Sequence, residues 1–471
     1  MMQRLHRGAW IVVACAACSS SPSGSSNGSG SNPASGNRSS SSASASDSSS
    51  TTRSSSAVDS GSSTSASSSR DSGSADDSGV SGSDNGAGSS PSLLLVAAGG
   101  VGTSQVTVGF SYDAATDTWS AGTPLGDGTS GAIDSPNGFV SFAFTGPGTA
   151  LAVLTDPTDA ADVTGASGPV QFATWAAGTW APFAAIGPAV TASGAPSLTV
   201  GSTSPEIAFA GDGTKAESSA ARATGSWSTV TKIGALTGGA PSIAARGADA
   251  TVAYVRSADG ALVAVDRTNG TWGAETVIES GTASAAATSS FAPSLIALSG
   301  TGAELMVVYT DSAMSDLHFA TRTASLWSTV QDFGLPTKVD NTDPNRPNMG
   351  AGDSPSPSFA TPMLALPDGQ AILAFISVNQ YAYVSQFDGT NWSTATTVFA
   401  SWGLDTIDSA QVGLAAGVGT ATAEVVFGGS PQSSGMYVPY HTRLVAGQWK
   451  TPKLIVANNP GTFAMYALVS Q

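Results

Sequence analysis

Seven times along the chain a tryptophan follows a short turn sequence and opens a run of small and β-branched residues. The copies read TDTWSAGTPLG at Trp119, AGTWAPFAAIG at Trp180, TGSWSTVTKIG at Trp227 and NGTWGAETVIE at Trp272. They continue as ASLWSTVQDFG at Trp327, GTNWSTATTVF at Trp392 and AGQWKTPKLIV at Trp449. Successive tryptophans lie 61, 47, 45, 55, 65 and 57 residues apart. A unit that recurs at this spacing cannot bury a hydrophobic face alone and must stack on its neighbours. Periods of about 40–50 residues suit a four-stranded propeller blade.

The copy at 240–278 shows the plan. SIAAR is a short strand, Gly-Ala-Asp turns, TVAYV is a second strand, and SADG turns again. ALVAVDR is a third strand, Asn-Gly turns, and TWGAETVI is the fourth. Short apolar and β-branched runs cut by Gly, Asp and Asn are the signature of strands and hairpins, and no window holds a helical period. Segments 293–334 and 362–399 repeat the plan. The first copy has room for only SLLLVAAGG and QVTVGFSYD before Trp119, while GTFAMYALVSQ is left over after the last copy. The spare segment 461–471 is therefore expected to supply the inner strand of the first blade. That closes the ring and removes sheet edges that would invite aggregation. The predicted fold is all-β, a seven-bladed β-propeller closed by a C-terminal strand. The repeat tryptophans are expected to fill the gaps between blades, and Trp175 to pack within its own strand.

The chain opens MMQRLHRGAWIVVACAAC, with Arg4 and Arg7 ahead of a short apolar run, and holds its two cysteines there, Cys15 and Cys18. The layout is that of a secretory signal, too short to span a bilayer. Val-Val-Ala-Cys and Cys-Ala-Ala-Cys resemble the end of a bacterial lipoprotein signal. The resemblance implies cleavage before a lipidated Cys18 (or Cys15), and a lipid-anchored place in the bacterial envelope, at the outer membrane or cell surface. A plain signal peptide cut nearby is the alternative. Residues 19–92 are Ser-, Gly-, Ala- and Asp-rich with almost no large apolar side chains, so they cannot bury enough surface to offset chain entropy. They are expected to be a disordered Ser-rich tether averaging roughly 50 Å end to end. The expected organisation is thus 1–18 signal, 19–92 linker and 93–471 propeller. The net charge of −16 argues against nucleic acid as a partner and against docking on anionic lipid, leaving the N-terminal lipid as the membrane contact.

Propeller strands alternate in direction, so connections divide between two faces. First-to-second and third-to-fourth connections are short here. Second-to-third and blade-to-blade connections are long, as in 155–169, 280–290, 335–361, 400–408 and 428–435. Long loops on a rigid scaffold commonly carry binding residues. On that face Arg256, Asp311, Arg346, Trp402 and Tyr437 are the candidate ligand-binding residues. Asp156, Asp159 and Asp162 offer the hard oxygen ligands calcium prefers, although their spacing is not that of an EF-hand and surface turns explain them equally. No other cofactor is expected. With two histidines in 93–471, His318 and His441, and no cysteine there, a zinc site is not expected.

Across 93–471 the chain resembles seven-bladed propeller lectins and, more loosely, sialidase-like propellers with repeated G-x-W blade endings. No copy meets the sialidase Asp box, Ser-x-Asp-x-Gly-x-Thr-Trp; FDGTNW at 387–392 comes nearest, with Asp388 one residue too close to the tryptophan. The lectin resemblance implies recognition of carbohydrate or another surface polymer, stacking sugars on aromatics, and the tethered protein is expected to be a monomer. Two alternatives stand beside it. One is a structural or protein–protein adhesion module whose partner is a surface protein. The other is a divergent sialidase-like glycosidase, for which two carboxylates are required and Asp156 and Asp340 are the candidates.

Overall fold

The computed structural model describes residues 91–101, 104–125, 140–155, 167–201, 204–211, 216–236, 240–281, 293–300, 302–310, 317–333, 362–376, 382–398, 404–405, 412–431, 438–455 and 461–471. Their strands form seven antiparallel sheets, one for each repeat tryptophan. Blade 3 runs Ser197–Val200, Pro205–Ala210, Ala216–Ala223, then an outer strand in two pieces, Ser226–Trp227 and Thr231–Leu236. Blade 4 is the most regular, with Ser242–Arg246, Asp249–Val255, Leu262–Thr268 and an unbroken outer strand, Thr271–Glu279.

The ring closes through the two ends of the chain. Gly461–Ser470 pairs antiparallel with Leu93–Val101, from Leu93 opposite Ser470 to Val101 opposite Gly461. It is the inner strand of blade 1, as the missing-strand arithmetic predicts. The same strand lies beside the inner strands of blade 2, Ser141–Gly146, and blade 7, Gly413–Ala416. Every blade therefore has a neighbour on both sides.

Seven hydrophobic clusters fill the gaps, each built from two adjacent blades, and each has one repeat tryptophan packed against it. The tryptophan faces the preceding blade: Trp272 of blade 4 joins the cluster that holds Ala208 and Ile233 of blade 3. Six residues further on, every copy has an apolar residue that packs toward the following blade. These are Leu125, Ile186, Ile233, Ile278, Phe333, Val398 and Ile455. Each outer strand thus spans two interfaces, and its W-x5-apolar pattern is what a ring requires. Trp175, outside the repeat, is 4% exposed in the blade 1–2 cluster.

Inner strands are also tied across blades by hydroxyls. Leu198 N–H donates to Ser141 Oγ at 2.9 Å, Ile243 N–H to Ser197 Oγ at 3.1 Å, and Leu295 N–H to Ser242 Oγ at 3.0 Å. A serine at the head of an inner strand satisfies a backbone donor of the next blade, a group that would otherwise be buried without a partner.

The turn before the tryptophan has a recurring backbone. In blades 2, 3, 4, 5 and 7 both central residues have positive φ, for example Asn269 at 51° and Gly270 at 78°. This is the type I′ geometry whose twist matches a hairpin. Blade 5 alone among these places a side chain at the second position, Ser325 at φ 71°, where its counterparts have glycine. Left-handed backbone costs a non-glycine residue about 1–2 kcal/mol. Ser325→Gly is accordingly expected to raise stability by ~0.5–1 kcal/mol in urea denaturation, net of the entropy glycine adds to the unfolded chain. A loss of stability would contradict the turn assignment.

Candidate functional site: a cleft between blades 3 and 4

Five of the seven blade interfaces are built around one contact. A third-strand residue, placed three before the one that pairs with the blade's own tryptophan, meets the tryptophan of the next blade. Phe172 packs on Trp227 with ring centroids 5.7 Å apart, Phe319 on Trp392 at 6.2 Å, and His441 on Trp119 at 5.2 Å. Val384 shares its cluster with Trp449. At Gly109 any Cβ would sit 2.4 Å from Trp180 Nε1, so the indole occupies that place itself.

In blade 3 this position is Ser219, set by the pairing of Arg222 with Trp227. A serine is too small to cover Trp272, and a cleft of about 450 Å³ remains. Glu206 and Ser219 line it from blade 3, Arg267 and Trp272 from blade 4, and Ser228 and Thr231 stand at its outer rim. Gly270 and Thr271 of the short outer turn also line it, so it opens at the short-turn end of the ring.

The charges are placed by the strand pleat. Arg267 pairs directly with Trp272 across two strands, so both point at blade 3, and the guanidinium carbon lies 5.6 Å from the indole centroid. Glu206, 3% exposed, points back from the second strand of blade 3. Arg267 Nη1 lies 2.7 Å from Glu206 Oε2, and Nη2 donates to Ala248 O at 3.2 Å. Burial pushes the Glu206 carboxyl above its ordinary range, opposed by the charge and hydrogen bond of Arg267. The other end of this interface is pinned. Glu275 Oε1 accepts from Ala235 N–H of blade 3 at 2.8 Å and from the Tyr254 hydroxyl of its own blade. A Cβ at Gly234 would fall 2.1 Å from the Tyr254 oxygen, so the strands meet as closely there as glycine allows. The cleft is thus preformed against a fixed seam.

The homologous place between blades 4 and 5 carries the same residue types but is filled by the protein. Arg322, 3% exposed, donates to Asp266 at 2.6 Å, and Asp266 also accepts from Thr251 at 2.6 Å and lies 3.5 Å from Arg246. Burial pushes the Asp266 carboxyl up, and Arg322, Thr251 and Arg246 together reverse this and hold it below its ordinary range. Between blades 2 and 3, Phe172 takes the space and Arg222 lies over its ring at 5.1 Å.

Of the candidate ligand-binding, metal, catalytic and lipidation residues that the sequence singles out, the structure describes one. Arg256 sits after the second strand of blade 4, where Nε and Nη2 donate to Asp259 at 2.9 and 2.6 Å and Nη1 to Glu275 at 2.7 Å. It braces the long-connection end of blade 4. Asp311, Arg346, Trp402, Tyr437, Asp156, Asp159, Asp162, Asp340, Cys15 and Cys18 lie outside the described residues. Among the described residues no group of three or more His, Cys, Asp or Glu is placed to hold a metal ion.

The cleft was not legible from motifs, because Glu206 and Arg267 come from different blades and meet only through ring packing. Its chemistry is nonetheless specific. A carboxylate that accepts, a guanidinium that donates, hydroxyls at the rim and a flat indole complement a ring bearing hydroxyls on its edges and C–H groups on a face. Hydrolysis of a glycosidic bond takes two carboxylates, and Glu206 is the one carboxylate among the described lining residues.

No protein-family profile matches the chain, and no curated protein is similar to it in sequence. Among solved structures, the fucose-specific lectin from Aleuria aurantia is similar over 68% of this chain and 95% of that chain, with 11% identity and a TM-score of 0.42. A second structure of a lectin from that organism, described as a six-bladed β-propeller, covers 68% and 96% at 10% identity and a TM-score of 0.41. The Hadza microbial sialidase Hz136 is similar over 70% of this chain and 60% of that chain, with 9% identity and a TM-score of 0.36.

Proposed function

We propose that the protein binds carbohydrate, and that the cleft between blades 3 and 4 is where it does so. The observation that carries this reading is the Glu206–Arg267 pair beside the partly buried indole of Trp272 in a preformed cleft. A sugar hydroxyl donates to the carboxylate, a neighbouring oxygen accepts from the guanidinium, and the apolar face of the ring lies on Trp272. The test is a glycan array, including fucose-terminated glycans, probed with the protein and with Trp272→Ala. A defined class of glycans retained by the protein and lost by the variant is the expected result. A blank array, or a pattern unchanged in the variant, would contradict the reading.

In the same proposal the ring is carried outside the cytoplasm on a tether, anchored to the bacterial envelope by a lipid on Cys18. The support is the lipoprotein-like signal and the Ser-rich segment that follows it. Labelled palmitate should enter the protein, persist in Cys15→Ser and vanish in Cys18→Ser. Label that is absent throughout, or lost only in Cys15→Ser, would overturn the assignment.

A further inference from the structure

We infer that Ser219 is the residue that makes one interface of this ring a binding site: it is too small to cover the tryptophan of the next blade, in the one place where neither that tryptophan nor a charged network has taken up the space. The inference deepens the carbohydrate reading and rests on it for the identity of the ligand, but its steric part stands alone.

The seven equivalent positions form a natural series. In six copies the position lies eight residues before the tryptophan and holds Phe172, Ser219, Ala264, Phe319, Val384 and His441; blade 1 has Gly109. Where it is Phe172 or Phe319, an aromatic ring lies against the next tryptophan. His441 does the same and also accepts from Trp119 Nε1 at 3.3 Å. At Gly109 the tryptophan has moved into the space, and at Ala264 the Arg322–Asp266–Arg246 network fills it. Blade 3 is the one place with a small polar residue and nothing drawn in to replace the missing ring. Arg267 is held back by Glu206 and Ala248, and Ser228 and Thr231 stay at the rim.

The blade 2–3 interface shows what a larger residue does. Arg222 and Trp227 sit there as Arg267 and Trp272 do in the cleft, but Phe172 occupies the space between the blades. Ser219→Phe should reproduce that state between blades 3 and 4. The aromatic ring would lie on Trp272, close the cleft, and leave the Glu206–Arg267 pair in place behind it.

The experiment uses the full chain and two readouts. In the first, acrylamide is the probe, and the quenching of Trp272 is taken as the difference between each protein and its Trp272→Phe counterpart. Trp272 should be quenched in the protein and in Ser219→Ala and at least severalfold less in Ser219→Phe, with thermal melting preserved. The reciprocal variant Phe172→Ser should raise the quenching of Trp227 severalfold, which keeps the inference testable if Ser219→Phe does not fold. Equal quenching of Trp272 in Ser219→Phe, or a Trp227 quenched no more in Phe172→Ser than in the protein, would overturn it. In the second readout, glycans retained on the array by the protein should be lost, at least tenfold, by Ser219→Phe. A blank array with the predicted quenching defeats the carbohydrate reading alone; glycan binding that survives Ser219→Phe defeats the inference.

Discussion

A chain that stops at Pro460 should not reach the native ring. The strand removed, Gly461–Ser470, pairs with Leu93–Val101 over its whole length. Its Leu468, 5% exposed, belongs to the blade 7–1 cluster, while Ala467 and Val469 pack on the blade 1–2 cluster. Deletion therefore weakens two interfaces at once and leaves Leu93–Val101 as an unpaired apolar edge, a template for association with other chains. The loss of Leu468 alone is worth about 2–3 kcal/mol, and the ladder of backbone bonds goes with it. Against a total stability of ~5–15 kcal/mol this is enough to unfold the ring. Sedimentation and thermal melting should show aggregate and no cooperative transition. A monomer that melts at the temperature of the full chain would contradict the closure.

The second large effect is expected at the same seam. Glu424 is fully buried and accepts four hydrogen bonds from three groups: Val418 N–H at 3.0 Å, Arg443 Nε at 3.0 and 3.1 Å, and His441 Nε2 at 2.9 Å. Because His441 Nδ1 accepts from the Trp119 indole, Nε2 is the nitrogen that carries the proton toward Glu424. Glu424→Ala strands a partly buried guanidinium, a backbone N–H and an imidazole N–H together. Removing one partner of a buried ion pair costs about 3–5 kcal/mol. Urea denaturation should show a loss of that size. The double variant Glu424→Ala/Arg443→Ala should lose less than the two single variants added together, since the groups are coupled. A loss under 1 kcal/mol would mean that the seam is held by apolar packing alone. Asp117, which accepts from Tyr112 at 2.7 Å and pairs with Lys453 of blade 7, is a more exposed tie across the same gap.

Most of the ring was legible in the sequence because its causes are local and repeated. Trp119 to Trp449 mark the outer strands, Asn-Gly and its relatives mark the turns, and the deficit before Trp119 points to 461–471 as the missing strand. In blade 4 the expected strands 242–246, 251–255, 261–267 and 271–278 fall within two residues of the observed ones at every boundary. The cleft was not found, for a physical reason. Glu206 looks like an isolated acid on a second strand, Arg267 like a surface residue near a turn, and Ser219 like one serine among many. Their meaning arises only when blade 3 is set beside blade 4. A signal was present in register: aligned on the tryptophan, position −5 reads Trp175, Arg222, Arg267, Arg322, Phe387 and Leu444, and position −8 reads Phe172, Ser219, Ala264, Phe319, Val384 and His441. Columns that mix arginine with aromatics, and serine with phenylalanine, mark the places where a repeat departs from pure packing. Loop length points to the long-connection face, whereas the cleft opens among the short turns.

The most direct test of a carbohydrate site between blades 3 and 4 is calorimetric titration of the protein, and of Glu206→Gln, with a glycan retained on the array. Glu206→Gln keeps the size of the side chain but removes the charge that pairs with Arg267 and turns one of the two carboxylate acceptors into a donor. A hydrogen bond to a charged group contributes roughly 1.5–3 kcal/mol, so the affinity should fall at least tenfold while the melting transition stays cooperative. An affinity unchanged in Glu206→Gln would place the sugar elsewhere on the ring and contradict the account.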